Sequence, residues 1–122
     1  MIHRNASYRR LATCHTDLQR LVIAAAEDFD FVVVCGHRGE EEQNAAVKNG
    51  TSKLAWPNSK HNSLPSLAVD LAPFPISWDD VAAFDRLGAH VEAVARGMSI
   101  PIVWGARWLK FPDRPHFQLE VA

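Results

Sequence analysis

Apolar positions along the chain alternate between two periods, and the points of change mark its elements. Between Thr13 and Asp28, Leu18, Leu21, Val22 and Ala25 recur at three- and four-residue spacing, which predicts an amphipathic helix capped by Thr13 or Thr16. Phe31 to Cys35 is an unbroken β-branched and aromatic run ended by Gly36, the pattern of a buried strand. Glu40 to Lys48 predicts a second helix, with three glutamates in the first turn, where the helix dipole favours them, and Asn49-Gly50 as its stop. Thr51 to Pro65 is rich in Ser, Asn, Pro and Lys and reads as a long loop, a kind of segment that often carries function.

The second half repeats this alternation. Leu67 to Ala72 predicts a strand with Ala68 and Asp70 on one face and Leu67, Val69 and Leu71 on the other, ended by Pro73 and Pro75. A helix capped by Ser77 or Asp79 then runs to about Arg96, with Val81, Phe84, Leu87, Val91 and Val94 as its apolar stripe and Gly97 as its end. Ile100 to Trp104 predicts a short strand, Gly105 to Pro115 a loop, and His116 to Val121 a last strand. Without repeats or linkers, this order implies one α+β domain over residues 1–122: a small, mainly antiparallel sheet with helices packed on one face.

Composition narrows the classes of function. A chain of 122 residues can bury a core without disulfide or metal support. Its 13 basic and 14 acidic residues are nearly balanced, which argues against nucleic acid or an anionic membrane as partner. Cys14 and Cys35 are too few for a disulfide framework; free buried thiols are expected, with a single bridge as the alternative. No run approaches the roughly 18 apolar residues of a membrane span, and the N-terminal segment lacks an apolar signal-peptide core. Synthesis and folding in a cytoplasm, no membrane insertion and a monomeric state are the expectations.

The candidate chemistry lies in two stretches. Ser59 to Asp70 sets His61 and Asp70 on either side of a Pro-containing turn, and Asp113-Arg-Pro-His116 sets a second carboxylate and imidazole three residues apart. Zinc accepts imidazole nitrogen and carboxylate oxygen, and a catalytic zinc has three protein ligands and an open fourth position. His61, Asp70 and His116 form such a set if the strand opened by His116 lies beside the one carrying Asp70. Zinc would lower the pKa of a bound water from about 15.7 to about 7, and Asp113 is the candidate base for its proton. Arg38, between a strand and a helix, can hold a carbonyl oxygen gaining charge or clamp a carboxylate. Gln43, one turn further on, supports Arg38 or the substrate, or faces solvent. His3, His15 and His90 are read as incidental.

With these residues in view, the chain resembles the zinc metallopeptidases that cut peptidoglycan stem peptides. That group contains the D-alanyl-D-alanine carboxypeptidases of the vancomycin-resistance type and the phage L-alanyl-D-glutamate endopeptidases, and it shares its fold with the Hedgehog signalling domain. The resemblance rests on Gly36-His37-Arg38-Gly39 through Gln43, on Ser59-Lys60-His61 through Ala68-Val69-Asp70, and on Pro115-His116-Phe117-Gln118-Leu119. It implies zinc on His61, Asp70 and His116, Asp113 as general base, and Arg38 stabilising the tetrahedral intermediate. Substrate contacts are expected at Arg38, Gln43 and Ser59.

Two departures from the family pattern stand out. The separation of His61 and Asp70 is longer than in many of the carboxypeptidases, so that Leu64-Pro65 resembles an insertion found in phage and prophage lysins. The family also often has Glu where Gln118 stands. The implied substrate is therefore the peptidoglycan stem peptide, cut at the L-Ala–D-Glu bond, with removal of a terminal D-Ala as the alternative. A non-catalytic zinc-binding module is the rival from another class. The implied setting is a phage endolysin made in the bacterial cytoplasm, reaching the wall through a holin-type pore.

Overall fold

Four strands form one sheet in the order β1-β2-β4-β3, with every neighbouring pair antiparallel. The computed structural model describes residues 1–120, so the predicted end of the last strand at Val121 lies outside the described residues. The strands are β1 (Phe31–Cys35), β2 (Ala68–Pro73), β3 (Ile102–Trp104) and β4 (His116–Leu119), and the helices are α1 (Asn5–Leu11), α2 (Thr16–Ala25), α3 (Glu40–Lys48) and α4 (Val81–Gly97). Short 3-10 turns at Lys60–Asn62 and Gly105–Arg107 interrupt the two long loops.

Alternation along β2 and β4 divides the sheet into a dry face and a chemical face. Phe31, Val33, Val69, Leu71, Phe117 and Leu119 are buried in one cluster with Leu18, Leu21 and Val22 of α2 and Leu87, Val91 and Ala95 of α4. Each such Leu, Val or Phe contributes about 1.5–3 kcal/mol on leaving water, so this cluster is what holds the helices to the sheet. Asp70 and His116 point to the opposite face as cross-strand partners. The stripe predicted for α4 is correct at Phe84, Leu87 and Val91, whereas Val81 is exposed.

Several local expectations are corrected. The α2 cap is His15, whose Nδ1 accepts from the Asp17 amide, and the α4 cap is Asp80, whose carboxylate accepts from the Ala83 amide. The first helix, α1, has no counterpart in the apolar pattern, because of its seven residues only Ser7 and Leu11 are buried. Side chains fix it instead: Ser7 Oγ accepts from Val33 N at 3.0 Å, and Arg10 donates to Val33 O at 3.1 Å. Helix α3 buries Gln43 alone, so it flanks the chemical face and adds nothing to the core.

The ladder between β1 and β2 slips between Val33 and Cys35, a bulge that sets Cys35 opposite Asp70. Strict alternation would have sent Cys35 to the dry face with Phe31 and Val33. The extra residue re-aims it towards the chemistry.

Candidate metal and catalytic site

Two imidazoles converge on one carboxylate oxygen. His61 Nε2 lies 3.1 Å and His116 Nδ1 3.3 Å from Asp70 Oδ1, and the two rings meet edge to face with centroids 5.1 Å apart. Strand pairing supplies the Asp70–His116 contact directly, while the 3-10 turn swings His61 over the end of β2. Ser59 caps that turn by accepting from the His61 amide, and its own amide donates to Asn62 Oδ1.

The outer nitrogen of each ring is already engaged. His61 Nδ1 donates to the Gly36 carbonyl at 2.7 Å, and His116 Nε2 donates to Gln118 Oε1 at 2.8 Å. These bonds fix the tautomers and leave His61 Nε2 and His116 Nδ1 as the inward-facing donors, the arrangement by which a protein orients metal-ligating histidines. Gly36 can accept the bond because it packs closely: a Cβ there would lie 2.3 Å from the Arg10 carbonyl and 2.5 Å from Thr13 Oγ1.

Electrostatics follow from this crowding. Burial works against a charged His61, but the Asp70 carboxylate outweighs it and raises His61 to about 10. Burial likewise disfavours ionised Asp70, yet His61 and His116 hold it well below the usual carboxylate range. The centre is a preformed ion pair that a divalent cation can enter by displacing the His61 proton.

Cys35 is the neighbour that sequence reasoning missed. Its thiol, a His61 ring nitrogen and an Asp70 oxygen lie within 4.8 Å of one another, so Cys35, His61 and Asp70 are themselves a potential metal-ligand group. Both cysteines are free, but Cys35 is half-buried and lines the cleft, whereas Cys14 is buried with its thiol pushed up to about 12 by burial.

Asp113 stands on the loop before β4. Its amide donates to the Gly105 carbonyl at 3.0 Å, and a Cβ at Gly105 would fall 2.3 Å from the Asp113 carbonyl, so this glycine permits the close approach. Burial, then the charge of Asp70, raises the Asp113 pKa, against the opposing pull of His116, His61 and Arg38. A carboxylate with a raised pKa is better matched to moving a proton near neutrality. Trp104 Nε1 donates to Arg114 O, and Trp108 packs on His116 with ring centroids 5.0 Å apart, which steadies the loop.

Arg38 lines the same cleft. Its backbone amide donates to His61 O, Nη1 donates to Gln43 Oε1 at 3.1 Å, and Nη2 lies 3.7 Å from Asp70 Oδ2. Gln43 is fully buried, receives a further bond from Asn62 Nδ2 and donates to Ser52 and Leu54, so it braces Arg38 and has no surface to offer a substrate. Of the roles left open for it, support of Arg38 is the one its geometry fits. Ser59 lines the cleft, although its hydroxyl already serves the turn. His3 stacks on Phe74, His15 caps α2 and His90 bonds the Ala25 carbonyl, all away from the site.

These groups open on a cleft of about 770 Å³, walled by Leu54, Trp78, Trp108, Phe111 and Pro115. An α+β domain with imidazoles, carboxylates and a guanidinium gathered in such a cleft carries the groups that hydrolytic chemistry uses. The chain belongs to the phage L-alanyl-D-glutamate peptidase family, whose model matches residues 2–119. It is also similar to the crystal structure of the Serratia marcescens L-Ala D-Glu endopeptidase ChiX, at 30% identity and a TM-score of 0.83 over 98% of this chain and 90% of that one. Among the described residues, no helix is long and apolar enough to cross a membrane.

Proposed function

We propose that the chain is a zinc-dependent endopeptidase that hydrolyses the L-Ala–D-Glu bond of peptidoglycan stem peptides, with His61, Asp70 and His116 as the metal ligands. The carrying observation is the convergence of His61 Nε2 and His116 Nδ1 on Asp70 Oδ1, with both outer nitrogens tied to uncharged oxygens. Two imidazoles and one carboxylate are a donor set suited to catalytic zinc. Zinc bound there would supply an acidified water and a Lewis acid for the scissile carbonyl.

The remaining work falls to the chain's own groups. Asp113 takes the proton of the attacking water and returns it to the departing D-Glu nitrogen, a role its raised pKa suits. Arg38, held by Gln43, offers its guanidinium to the carbonyl oxygen as that atom gains charge. Leu54, Trp108 and Phe111 give the cleft around them an apolar lining.

Family membership supports the L-Ala–D-Glu bond over the terminal D-Ala bond, and the phage family agrees with a phage or prophage endolysin; that it reaches the wall through a holin-type pore is part of the proposal. Mass analysis of muropeptides digested by the zinc-loaded protein tests the reading. Release of fragments with a new D-Glu N-terminus is expected. Loss of terminal alanine alone would make the protein a carboxypeptidase, and no cleavage would leave a binding module.

A further inference from the structure

The cleft carries two permanent cations, Arg38 and Lys53, and they are not equivalent. Arg38 is only 14% exposed and is committed to Gln43 Oε1 and the Asp70 carboxylate. Lys53 stands exposed on the loop after α3 and makes no ion pair among the described residues. Its ammonium lies instead 5.1 Å from the centroid of the Phe111 ring, on the loop of the opposite wall. This contact joins two loops that line the cleft. A cation resting over an aromatic face in the cleft, with no carboxylate partner among the described residues, keeps its charge available to an arriving anion.

The substrate class of the proposed reaction brings such an anion. In a stem peptide D-Glu is linked onward through its γ-carboxyl, so its α-carboxylate is free and sits on the carbon that bears the scissile nitrogen. We propose that Lys53 is the specificity-determining cation of the cleft, receiving this α-carboxylate and so favouring stems in which it is free over stems in which it is amidated. The assignment rests on the L-Ala–D-Glu reading of the site. Arg38 is a poorer candidate, because binding the carboxylate would draw it away from Asp70 and from the carbonyl it is placed to polarise.

The test compares two soluble substrates, N-acetylmuramyl-L-Ala-γ-D-Glu-L-Lys and its D-isoglutamine counterpart, with zinc-loaded wild type, Lys53→Met, Lys53→Arg and Phe111→Leu. Wild type should prefer the free carboxylate by about tenfold or more in kcat/KM, the order of one charge-assisted hydrogen bond. Lys53→Met should lose that preference through KM on the carboxylate substrate alone, with the amidated substrate nearly unchanged. Lys53→Arg should retain it, and so should Phe111→Leu, which removes the cation's resting partner but leaves its charge.

Three outcomes would overturn the assignment: equal wild-type rates on the two substrates, a Lys53→Met variant that keeps the preference, or one that loses both activities equally, since Lys53 would then only hold the wall. If wild type cuts neither substrate between L-Ala and D-Glu, the reading of the reaction fails first and takes the assignment with it.

Discussion

His116 and Gln118 lie on the same face of β4, two residues apart, and His116 Nε2 donates to Gln118 Oε1 across 2.8 Å. The amide therefore does what a carboxylate would do at this position, turning Nδ1 towards Asp70, but without adding a negative charge beside the ring. Gln118→Leu should weaken zinc binding by about 10- to 100-fold, the usual cost of losing an orienting partner. Gln118→Glu should restore it. Competition with a chromophoric chelator measures both, and an unchanged affinity in Gln118→Leu would show that β4 packing alone orients the ring.

The proposed separation of metal holding from proton transfer gives the next expectation. Asp113 bonds to neither histidine side chain, and its amide and carbonyl tie the loop to Gly105 and His116. Asp113→Asn keeps those backbone bonds and the shape of the side chain. The variant should bind one equivalent of zinc as wild type does, while kcat falls by about 10²- to 10⁴-fold. A variant that loses metal in parallel with activity would make Asp113 part of the ligand set.

Much of the site was legible because its logic is local. Period-two alternation in β2 placed Asp70 opposite to Val69 and Leu71, and His116 opened a strand that does pair beside it. Other parts were illegible for definite reasons. A bulge is not visible as a pattern, so Cys35 read as one more core residue of a β-branched run. Helix α1 escaped because it is held by Ser7 and Arg10 hydrogen bonds and buries too little apolar surface to show a period. The work of Asn62 and Gln43 depends on side chains 19 residues apart meeting in space, which no spacing rule encodes.

Cys35 makes the identity of the metal donors measurable. It joins His61 and Asp70 in one cluster, yet its guanidinium neighbour, Arg38 Nη2 at 3.8 Å, already faces the thiol. With His61, Asp70 and His116 as ligands, the cobalt-substituted protein should show visible bands of a low-coordinate nitrogen and oxygen site. The intense near-ultraviolet charge transfer of a cobalt-thiolate bond should be missing. Cys35→Ser should leave both the spectrum and the zinc stoichiometry unchanged. A thiolate band that vanishes in Cys35→Ser would replace His116 by Cys35 in the ligand set, or add Cys35 to it.

The ion pair at the centre ties metal affinity to pH in a definite direction. His61 is raised from 6.5 to about 10 in the metal-free protein, so its contribution to stability is complete below pH 6.5 and is lost as pH rises through about 10. Asp70 is lowered from 3.8, so its contribution is present above that value and is lost as pH falls through its depressed pKa. The metal-free protein should therefore lose melting temperature steadily from pH 6.5 to 9. If His61 Nε2 is a zinc ligand, as proposed, zinc competes with its proton and the apparent affinity should tighten by up to about tenfold per pH unit over the same range. The rise in melting temperature on adding zinc should grow accordingly, as differential scanning calorimetry at fixed free zinc would record. A zinc-induced rise that stays flat from pH 6.5 to 9 would mean that no proton leaves His61 when the metal enters, and that His61 is not a ligand.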